Sequence, residues 1–512
     1  MTLSSSMNIA QQALLVNQAA ISVVSNNIAN VSTEGYSRQA VDLSPEINYT
    51  PISNSVLAQA LSGSGVDLSS IQRYTDSYLQ SYYRQQNSAK TYLDQYATVA
   101  SNIENTTNEL AGSKLEDAFT GFYSAAQTLS SNPDDATARQ SYIQQAQTIA
   151  IKLNDMSSSL NDVRTGLVGD VTDATSLDKS KISLQVDQVN VILTQLAEVN
   201  SDIVKISSDE MQPNSLLDKR DLLINKLSNF LPVNVSEQPC GMVDISINDV
   251  SILKGTKLSG ALDVTTGDIN NPAILQIRND AGTVISGNIN SSINAGSIAA
   301  LLDVGGSDPS KLTIKGVLDK LDTLANGFAG VMNNLQTAVI DGKTPMAIDK
   351  ASQTLIVSTE DIFESGSAAP ITASNIKVNQ LVLDDPYLIA AARVDATTEG
   401  TTYKKEEIGN NTNMIAILDT RTNSTPPLNN NPEEYVSTMV GKIGTQVEDI
   451  NTRLTNQTQV LSTVKTQLTS TTGVSTDQEL ADLIKYQRAY QASARIFTTC
   501  NDLLDVLMNL GK

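Results

Sequence analysis

The 512-residue sequence predicts an α+β multidomain protein. Its two chain ends are predicted to lie together and to assemble, and the middle of the chain is predicted to lie farthest from them. Helical spacing of apolar residues at both ends and through much of the interior is the first observation. A stretch of strand-like alternation between about 233 and 375 is the second. The third is length, because a chain this long divides into several cores. The predicted layout is a nested hairpin, with terminal coiled-coil helices, an inner helical bundle domain and an outer β-rich domain.

The N-terminal stretch predicts one long helix over residues 1–31. Its apolar or small residues alternate in steps of three and four, a heptad pattern typical of a helix packed against other helices. Residues 32–35 break the helix, and Gly35 is suited to a positive φ. The heptad positions are Met7, Ala10, Leu14, Asn17, Ile21, Val24, Ile28 and Val31.

A matching heptad pattern closes the chain, in a helix that begins near Asp477. Its positions are Leu483, Tyr486, Tyr490, Ser493, Phe497, Cys500, Leu504 and Leu507. The two terminal helices have polar residues among their heptad positions, and such residues specify register and partner. We therefore expect residues 1–60 and 472–512 to form one discontinuous coiled-coil assembly domain.

Between these ends, the second predicted domain is helical and also discontinuous, covering 61–232 and 376–471. Residues 38–70 look extended or irregular, and Gly63-Ser64-Gly65 is interpreted as a turn because a phosphate loop would need a strand–helix frame. The predicted helices lie at 74–109, 115–129, 134–168, 186–203, 215–231, 411 onward and 436–468.

Residues 233–375 form the predicted outer β-rich domain, in which apolar residues alternate as they do in strands. The strand-like pattern runs from Pro232 to about residue 305, and further short strands are predicted at 354–357, 376–378 and 381–383. A helix at 310–338 interrupts this region and is a candidate member of the helical domain.

Composition narrows the class of function. The formal net charge of −21 argues against nucleic acid as a partner and against polybasic attachment to membranes. No apolar run reaches about 18 residues, so membrane insertion is not expected. No Lys or Arg precedes Arg38, so no signal peptide is predicted, which fits either a cytoplasmic protein or leaderless export. Cys240 and Cys500 are far apart and are predicted to be unpaired, buried thiols.

The sequence contains no histidine, which excludes His-based catalytic pairs and zinc sites built on His. Three acidic pairs remain, Asp134-Asp135, Asp384-Asp385 and Glu406-Glu407. Adjacent side chains on a helix or strand do not face each other, so paired acid–base work is not expected. We predict no enzyme activity, no cofactor and no metal site.

The residues that follow the first helix carry a family resemblance. Ser25-Asn26-Asn27-Ile28-Ala29-Asn30, followed by Thr33, Gly35 and Tyr36, resembles the N-terminal motif of bacterial flagellar rod, hook and hook-associated proteins. The continuation Gly35-Tyr36-Ser37-Arg38-Gln39 resembles the hook-associated members, since rod and hook proteins usually have Phe and Lys there.

Further stretches resemble the same hook-associated proteins, in the same order. They are Phe119–Arg139 with Asn132-Pro133-Asp134-Asp135, Leu216-Leu217-Asp218-Lys219-Arg220-Asp221, Asp384-Asp385-Pro386 with Ile389-Ala390-Ala391, Gly409-Asn410-Asn411, and Lys485–Arg495. The match is weak over 233–375, so there the resemblance predicts the position of the outer domain but not its detailed fold.

The resemblance implies a structural axial protein that joins the flagellar hook to the filament and self-assembles into a ring or tube through its terminal helices. It also implies export through the type III apparatus without a cleaved signal peptide, to an extracellular place on the flagellum. The implied partners are further copies of the chain, the hook protein, a second junction protein and an export chaperone. Alternatives are another axial protein or, less favoured, a secreted adhesin or enzyme.

The predicted site residues follow from the terminal heptads and this resemblance. The predicted assembly interface comprises Met7, Ala10, Leu14, Asn17, Ile21, Val24, Asn26, Asn27, Ile28, Asn30, Thr33, Gly35, Tyr36, Arg38, Leu483, Tyr486, Tyr490, Ala494, Phe497, Leu504 and Leu507. The predicted chaperone-binding residues are Leu480, Leu483, Ile484, Tyr490, Ile496, Leu503 and Leu507. We hypothesise that both chain ends are poorly ordered in the free subunit and form a coiled coil only when packed.

Overall fold

The computed structural model describes residues 3–45, 65–108, 114–207, 213–366, 369–395, 408–423, 428 and 431–510. The predicted turn at 63–65 lies largely outside these ranges, and the acidic pair Glu406-Glu407 lies entirely outside them. Helices dominate the described chain, and the strands fall into small antiparallel sheets.

The described residues form thirteen α-helices, bounded by heptad breaks, prolines and side-chain caps. They are α1 Leu3–Ala29, α2 Ser77–Thr107, α3 Leu115–Ser131, α4 Ala136–Val168, α5 Ala174–Asp178, α6 Lys181–Ser207, α7 Asn214–Leu227, α8 Gly296–Gly305, α9 Ile314–Thr337, α10 Gln380–Asp384, α11 Thr412–Asp419, α12 Pro432–Thr472 and α13 Thr476–Leu510.

The strands pair only with antiparallel neighbours. They are β1 Gln39–Pro45, β2 Val66–Arg73, β3 Asn234–Glu237, β4 Val243–Ile247, β5 Val250–Lys254, β6 Lys257–Leu258, β7 Ala261–Thr266, β8 Ala273–Arg278, β9 Val284–Ser286, β10 Lys343–Asp349, β11 Thr354–Val357, β12 Phe363–Glu364, β13 Lys377–Val378 and β14 Ala392–Asp395. The sheets have the orders β1-β2, β3-β4-β5-β6, β7-β8-β9, β11-β10-β14 and β12-β13.

One apolar core joins α2, α3, α4, α9, α11 and α12. At its centre is a group of aromatic rings in which Phe122 lies 4.8 Å from Tyr142 and 5.3 Å from Phe328, measured between ring centroids. Edge-to-face and tilted packing at these distances stabilises beyond area burial alone. Helix α9 contributes Phe328 to this core, so the helix predicted at 310–338 packs with the helical bundle.

A second apolar core joins α6, α7 and α8 to the strands from β4 to β8. In β4 the side chains alternate, with Val243, Ile245 and Ile247 buried. Helix α6 packs its apolar face on these strands through residues such as Val189 and Leu196. This core therefore extends across Pro232, the position at which the apolar period changes from helical to strand-like.

The α+β class and the long helices predicted from the sequence are confirmed. Two local predictions are wrong. The strand-like run to residue 305 contains α8, in which Ile298, Leu301 and Val304 recur every three residues and are buried. The strand predicted at 381–383 is part of α10, because the Asn379 side chain accepts a hydrogen bond from the Leu381 N–H and caps a helical turn.

Candidate assembly interface

The two chain ends pack together as an antiparallel pair of helices, which we call the terminal arm (α1 and α13). The C-terminal end of α1 lies beside the first turn of α13, where Asn27 contacts Glu479. Beyond α13, α1 packs mainly on the β1–β2 hairpin. Within the part of the chain that the structure describes, each arm helix thus packs extensively on one long helix, whereas a heptad helix in a bundle packs on at least two.

The face of α1 that is buried within the chain runs through Val16, Ala20, Val23 and Asn27. On α13 the buried positions include Ser493 and Cys500. Small residues at these positions let the two helices approach closely. The predicted heptad positions Leu14, Asn17, Ile21 and Ile28 lie beside this face and are only half-buried.

The rest of the arm leaves large apolar side chains in solvent. Leu15 is 60% exposed, Ile484 52%, Leu507 59% and Met508 71%. Further exposed members are Leu480, Tyr490, Ile496, Leu503 and Val506. So many exposed apolar side chains on one pair of helices indicate an interaction surface, because monomeric proteins rarely expose large apolar patches.

The bend between the arm and the rest of the chain is held by a polar hub centred on Asn27. This side chain is fully buried, and its amide Nδ2 donates to Glu479 Oε2 at 2.9 Å and to the Gln39 carbonyl at 2.8 Å. Its Oδ1 accepts from the Tyr36 hydroxyl and from the Gln39 N–H. A buried amide with all these bonds fixes the angle at which β1 leaves α1.

Arg38 extends the hub to α13. Its Nε donates to Glu479 Oε1 at 2.6 Å, and Glu479 is fully buried while the Arg38 side chain is 21% exposed. The guanidinium also lies 5.1 Å from the centre of the Tyr74 ring. The Arg38 N–H donates to the Thr472 carbonyl at the end of α12. Arg38 therefore links α13, the Tyr74 ring and the end of α12.

The buried carboxylate of Glu479 also affects the pKa of Tyr36. Burial, with the nearby carboxylates Asp218 and Glu479, raises the pKa of its hydroxyl to about 12. The hydroxyl is therefore protonated at neutral pH and serves as a hydrogen-bond donor to Asn27.

Next to the hub lies an ion cluster of Arg73, Arg84, Asp218, Arg220 and Asp221. Arg73 Nη2 is 2.7 Å from Asp221 Oδ2 and 3.0 Å from Asp218 Oδ1. Arg220 also contacts Asp221. The cluster joins β2 to α2 and α7, so it attaches the hairpin beneath the arm to the body of the protein.

The two carboxyls of this cluster titrate in opposite directions. Burial raises the pKa of Asp218. Burial acts on Asp221 in the same direction, but Arg220 and Arg73 outweigh it and hold the Asp221 pKa below its usual range. Asp221 is therefore the ionised centre around which the three arginines gather.

Arg139 plays a similar positioning part in the helical bundle. Its side chain is fully buried, and its guanidinium donates to the backbone carbonyls of Pro133 and Ile389 at 2.8 and 2.7 Å. Burial lowers its pKa to about 10. This contact brings together two of the sequence stretches that carry the family resemblance, Asn132–Arg139 and Asp384–Ala391.

The predicted interface residues all lie on the arm or at its bend. Ala10, Val24 and Asn27 are buried, whereas Asn26, Thr33, Gly35, Tyr490 and Leu507 are exposed and the remainder are half-buried. Gly35 has a φ of +80°, as its predicted role in the turn requires. Of the predicted chaperone-binding residues, all except the half-buried Leu483 are exposed, but they lie on more than one face of α13.

Neither thiol is paired, as predicted, and Cys500 is buried. The prediction of burial is wrong for Cys240, which is half-buried because it lies in the turn between β3 and β4. Among the described residues, no group of acidic or cysteine side chains is arranged to hold a metal ion, and no helix is long and apolar enough to cross a membrane.

Three protein-family descriptions match the chain. "Flagellar hook-associated protein FlgK helical domain" matches residues 100–346. "Flagella basal body rod protein" matches residues 7–36, and "Flagellar basal body rod FlgEFG protein C-terminal" matches residues 466–510. The last two cover most of α1, the bend as far as Tyr36, and all of α13.

The chain is similar along its whole length to curated flagellar proteins. It is 27% identical to flagellar hook-associated protein 1 of Bacillus subtilis over 98% of this chain and 97% of the relative. It is 24% identical to the same protein of Salmonella typhimurium, over 99% of this chain and 100% of the relative. These full-length similarities, together with the helical-domain match, support a hook-associated protein of the hook–filament junction.

A solved structure agrees in fold with this hook-associated family. The flagellar hook junction protein FlgK from Burkholderia pseudomallei superposes with a TM-score of 0.56 and 15% identity, over 77% of this chain and 100% of that one. The prediction of a structural axial protein at the hook–filament junction is confirmed by these relatives. They are structural flagellar proteins, and the chain is placed on the flagellum with them.

Sequence reasoning missed several residues of the hub and the ion cluster. Glu479 continues the heptad register of α13, four residues before Leu483, but the predicted heptad begins at Leu483. The partners of its buried carboxylate, Asn27 and Arg38, are more than 400 residues away. Arg73 and Arg84 lie on separate elements, with no local pattern to connect them to Asp221. For the ion cluster the available signal was the stretch Leu216–Asp221, which carries the family resemblance and contains Asp218, Arg220 and Asp221.

Proposed function

We propose that the terminal arm is the surface through which copies of this hook-associated protein pack side by side into a ring or short tube between the hook and the next junction layer. In this arrangement α1 and α13 of each copy complete one another's apolar faces. The body of the protein, with its two apolar cores, then lies outside this shared helical layer.

The observation that carries the proposal is the number of exposed apolar side chains on α13, from Leu480 to Met508 and on more than one face, on a helix whose main neighbour is α1. Fully burying one Leu or Ile side chain contributes roughly 1.5–3 kcal/mol. Several half-exposed side chains on each arm therefore supply enough apolar surface for a stable contact between copies.

The charge pattern of α1 supports the same assignment. No residue from Leu3 to Ala29 is charged, and its polar residues are mostly Ser, Asn and Gln. An uncharged surface can be buried against neighbouring helices without leaving an unpaired ion in the contact. In a helix that stayed in water, charged residues would be expected on the outer face.

We also infer that α13 has a second occupant before assembly. Leu480, Ile484 and Leu503 would bind an export chaperone that covers the apolar surface until the chain leaves the cell. Export through the flagellar type III apparatus without a cleaved signal peptide is the route that the family implies. The hook protein and a second junction protein are the neighbours that the assembled ring would contact.

The assembly proposal is tested by replacing Leu15 with Asp in the full chain, expressed in a flagellated strain that lacks its own hook-associated protein 1. Leu15 is 60% exposed, so the free chain should fold as before. We expect normal secretion, but at least a tenfold loss of chain retained on the hook, measured by immunoblotting hook and medium fractions.

The matched control is Leu184→Asp, because Leu184 is 54% exposed but lies on α6 in the body. This variant should be retained on the hook like the parent chain. Retention of the Leu15 variant at the parental level would contradict the proposed role of the arm.

The chaperone proposal has a separate test. Binding of the cognate chaperone is measured with the full chain and with a chain that lacks residues 475–512. We expect binding to be lost with the deletion, and undiminished binding would contradict the proposal.

A further inference from the structure

The charges of α13 are unevenly distributed, and two groups of them have no explanation within the chain. The helix carries eight charged residues between Asp477 and Asp505. Glu479 and Asp482 are contacted by Arg38 at the bend. Farther along, Lys485 and Arg488 form a basic pair, and Asp502 and Asp505 form an acidic pair.

These four side chains are exposed, and none makes an ion pair with any residue that the structure describes. Lys485 lies over the Tyr486 ring at 5.5 Å, a contact that leaves its charge uncompensated. In each pair, like charges stand three residues apart on one helix, where they repel each other. The isolated chain therefore gains nothing from this arrangement.

The two pairs occupy different sides of α13. At 3.6 residues per turn, the centre of the basic pair and the centre of the acidic pair are about 100° apart around the helix. Ser493 and Cys500 mark the buried side of α13, which is about 160° around the helix from the acidic pair and about 100° from the basic pair. The acidic pair thus points away from the buried side and the basic pair lies on one flank, so the two pairs face different neighbours.

The spacing along the helix is the same for the pairing of Asp502 with Lys485 and of Asp505 with Arg488. Asp502 is 17 residues from Lys485, and Asp505 is 17 residues from Arg488. At 1.5 Å per residue, this corresponds to about 26 Å. A parallel copy displaced by this distance forms both pairs at once.

We propose that Asp502 and Asp505 of one copy pair with Lys485 and Arg488 of the next copy, with the two α13 helices parallel and displaced by about 26 Å along their axes. The inference rests on the proposed function, because it needs arms that pack side by side. It adds the register of that packing and the residues that select it.

The charges also disfavour the simplest alternative. In two parallel copies without displacement, the acidic pairs of the two copies would lie at the same height along the helix axis, and so would the two basic pairs. Like charges across an interface suppress such a register. Exposed ion pairs add little affinity, so the apolar side chains supply the binding and the charges choose the displacement.

The contact is heterologous, since each copy uses its acidic side toward one neighbour and its basic side toward the other. Contacts of this kind continue from copy to copy and generate rings or helical tubes rather than closed dimers. The pairing is therefore compatible with a layer built of many identical arms.

Charge reversal in the full chain tests the pairing, in the same flagellated strain and with the same measurement of chain retained on the hook. The acidic-pair variant carries Asp502→Lys and Asp505→Lys, and the basic-pair variant carries Lys485→Glu and Arg488→Glu. We expect each to lower retention at least fivefold. The fourfold variant, which reverses both pairs, should recover to within twofold of the parent chain.

Lys254→Glu with Lys257→Glu serves as the matched control, because it changes net charge as the basic-pair variant does but at an exposed turn of the outer sheet. Its retention should match the parent. A fourfold variant no better than either double variant, or double variants retained like the parent, would overturn the pairing. The Leu15→Asp result separates the two proposals: if that variant is lost from the hook while the charge variants are retained, only the register is wrong.

Discussion

The terminal arm and the aromatic centre of the helical bundle differ in how far their apolar side chains are buried within one chain. In the bundle, Phe119, Phe122 and Phe328 are at most 1% exposed, and their rings contact one another within one chain. In the arm, two helices of comparable apolar content bury a narrow face and leave Ile484 and Leu507 more than half exposed.

This difference shows which apolar surfaces are covered within a single copy and which need neighbouring copies to cover them. The bundle is closed by helices of the same copy, so its stability is a property of the single subunit. The arm has polar anchors at its bend but little apolar closure along its length. Its stability should therefore rise when further copies cover it.

The largest expected effect is in the bundle. Phe122→Ala should lower the free energy of unfolding of the free chain by about 3–5 kcal/mol, because it leaves a cavity among rigid rings. Leu507→Ala, on the exposed side of the arm, should change it by less than about 0.5 kcal/mol. Urea unfolding followed by circular dichroism measures both, and similar losses for the two variants would remove the contrast.

The ion cluster between the arm and the body gives the second prediction. Asp221→Asn should cost about 3 kcal/mol at pH 7, because it leaves buried arginines without their central carboxylate. The folded-state pKa of Asp221 is lowered, so its contribution is present above the unfolded value of about 4 and is lost as pH falls through the folded value. The cost of Asp221→Asn should therefore shrink below about pH 4.

Asp218→Asn is the comparison within the same cluster. Because the folded-state pKa of Asp218 is raised, its ionised form carries a penalty at neutral pH that disappears as pH falls through that value. Its replacement by Asn should cost less than that of Asp221 at pH 7. Urea midpoints between pH 3 and 7 test both, and a cost for Asp221→Asn that does not vary with pH would contradict this account.

The smallest predicted effect concerns the bend itself. Glu479→Gln removes the charge that faces Arg38 and should weaken attachment of α13 by about 2 kcal/mol, the range for a hydrogen bond to a charged group. Asp482→Asn, whose contact with Arg38 is 3.4 Å and more exposed, should cost about 0.5 kcal/mol or less. Limited proteolysis at the start of α13 reports both, and equal cleavage rates for the two variants would contradict a special role for Glu479.

The long helices could be predicted from the sequence because their apolar periodicity is local. The helix expected over 134–168 is observed as Ala136–Val168, with Asp135 as its cap. Short elements were harder, since α8 has ten residues and α10 has five, and tertiary packing decides such segments. Their apolar runs fit a strand or a helix equally well.

The hub and the ion cluster could be predicted only in part. Asn27, Tyr36 and Arg38 were identified through the motif that follows the first helix. Glu479 and Arg73 were not, because the partners of each are distant in sequence. The heptad register of α13 extends back to Glu479 and could have indicated that it faces inward, but a carboxylate there does not reveal its partners. The predicted heptad of α1 identified apolar residues correctly but not which face packs on α13, since a helix with apolar residues on two sides fits either face.

Amide hydrogen exchange of the free, full-length chain tests the central claim most directly, that the arm requires neighbouring copies while the bundle does not. We predict slow exchange in α3 and α4 and exchange at least a hundredfold faster across residues 10–24 and 490–507, with the difference reduced once copies assemble. Strong protection of both arm segments in the monomer, equal to that of α4, would contradict the account.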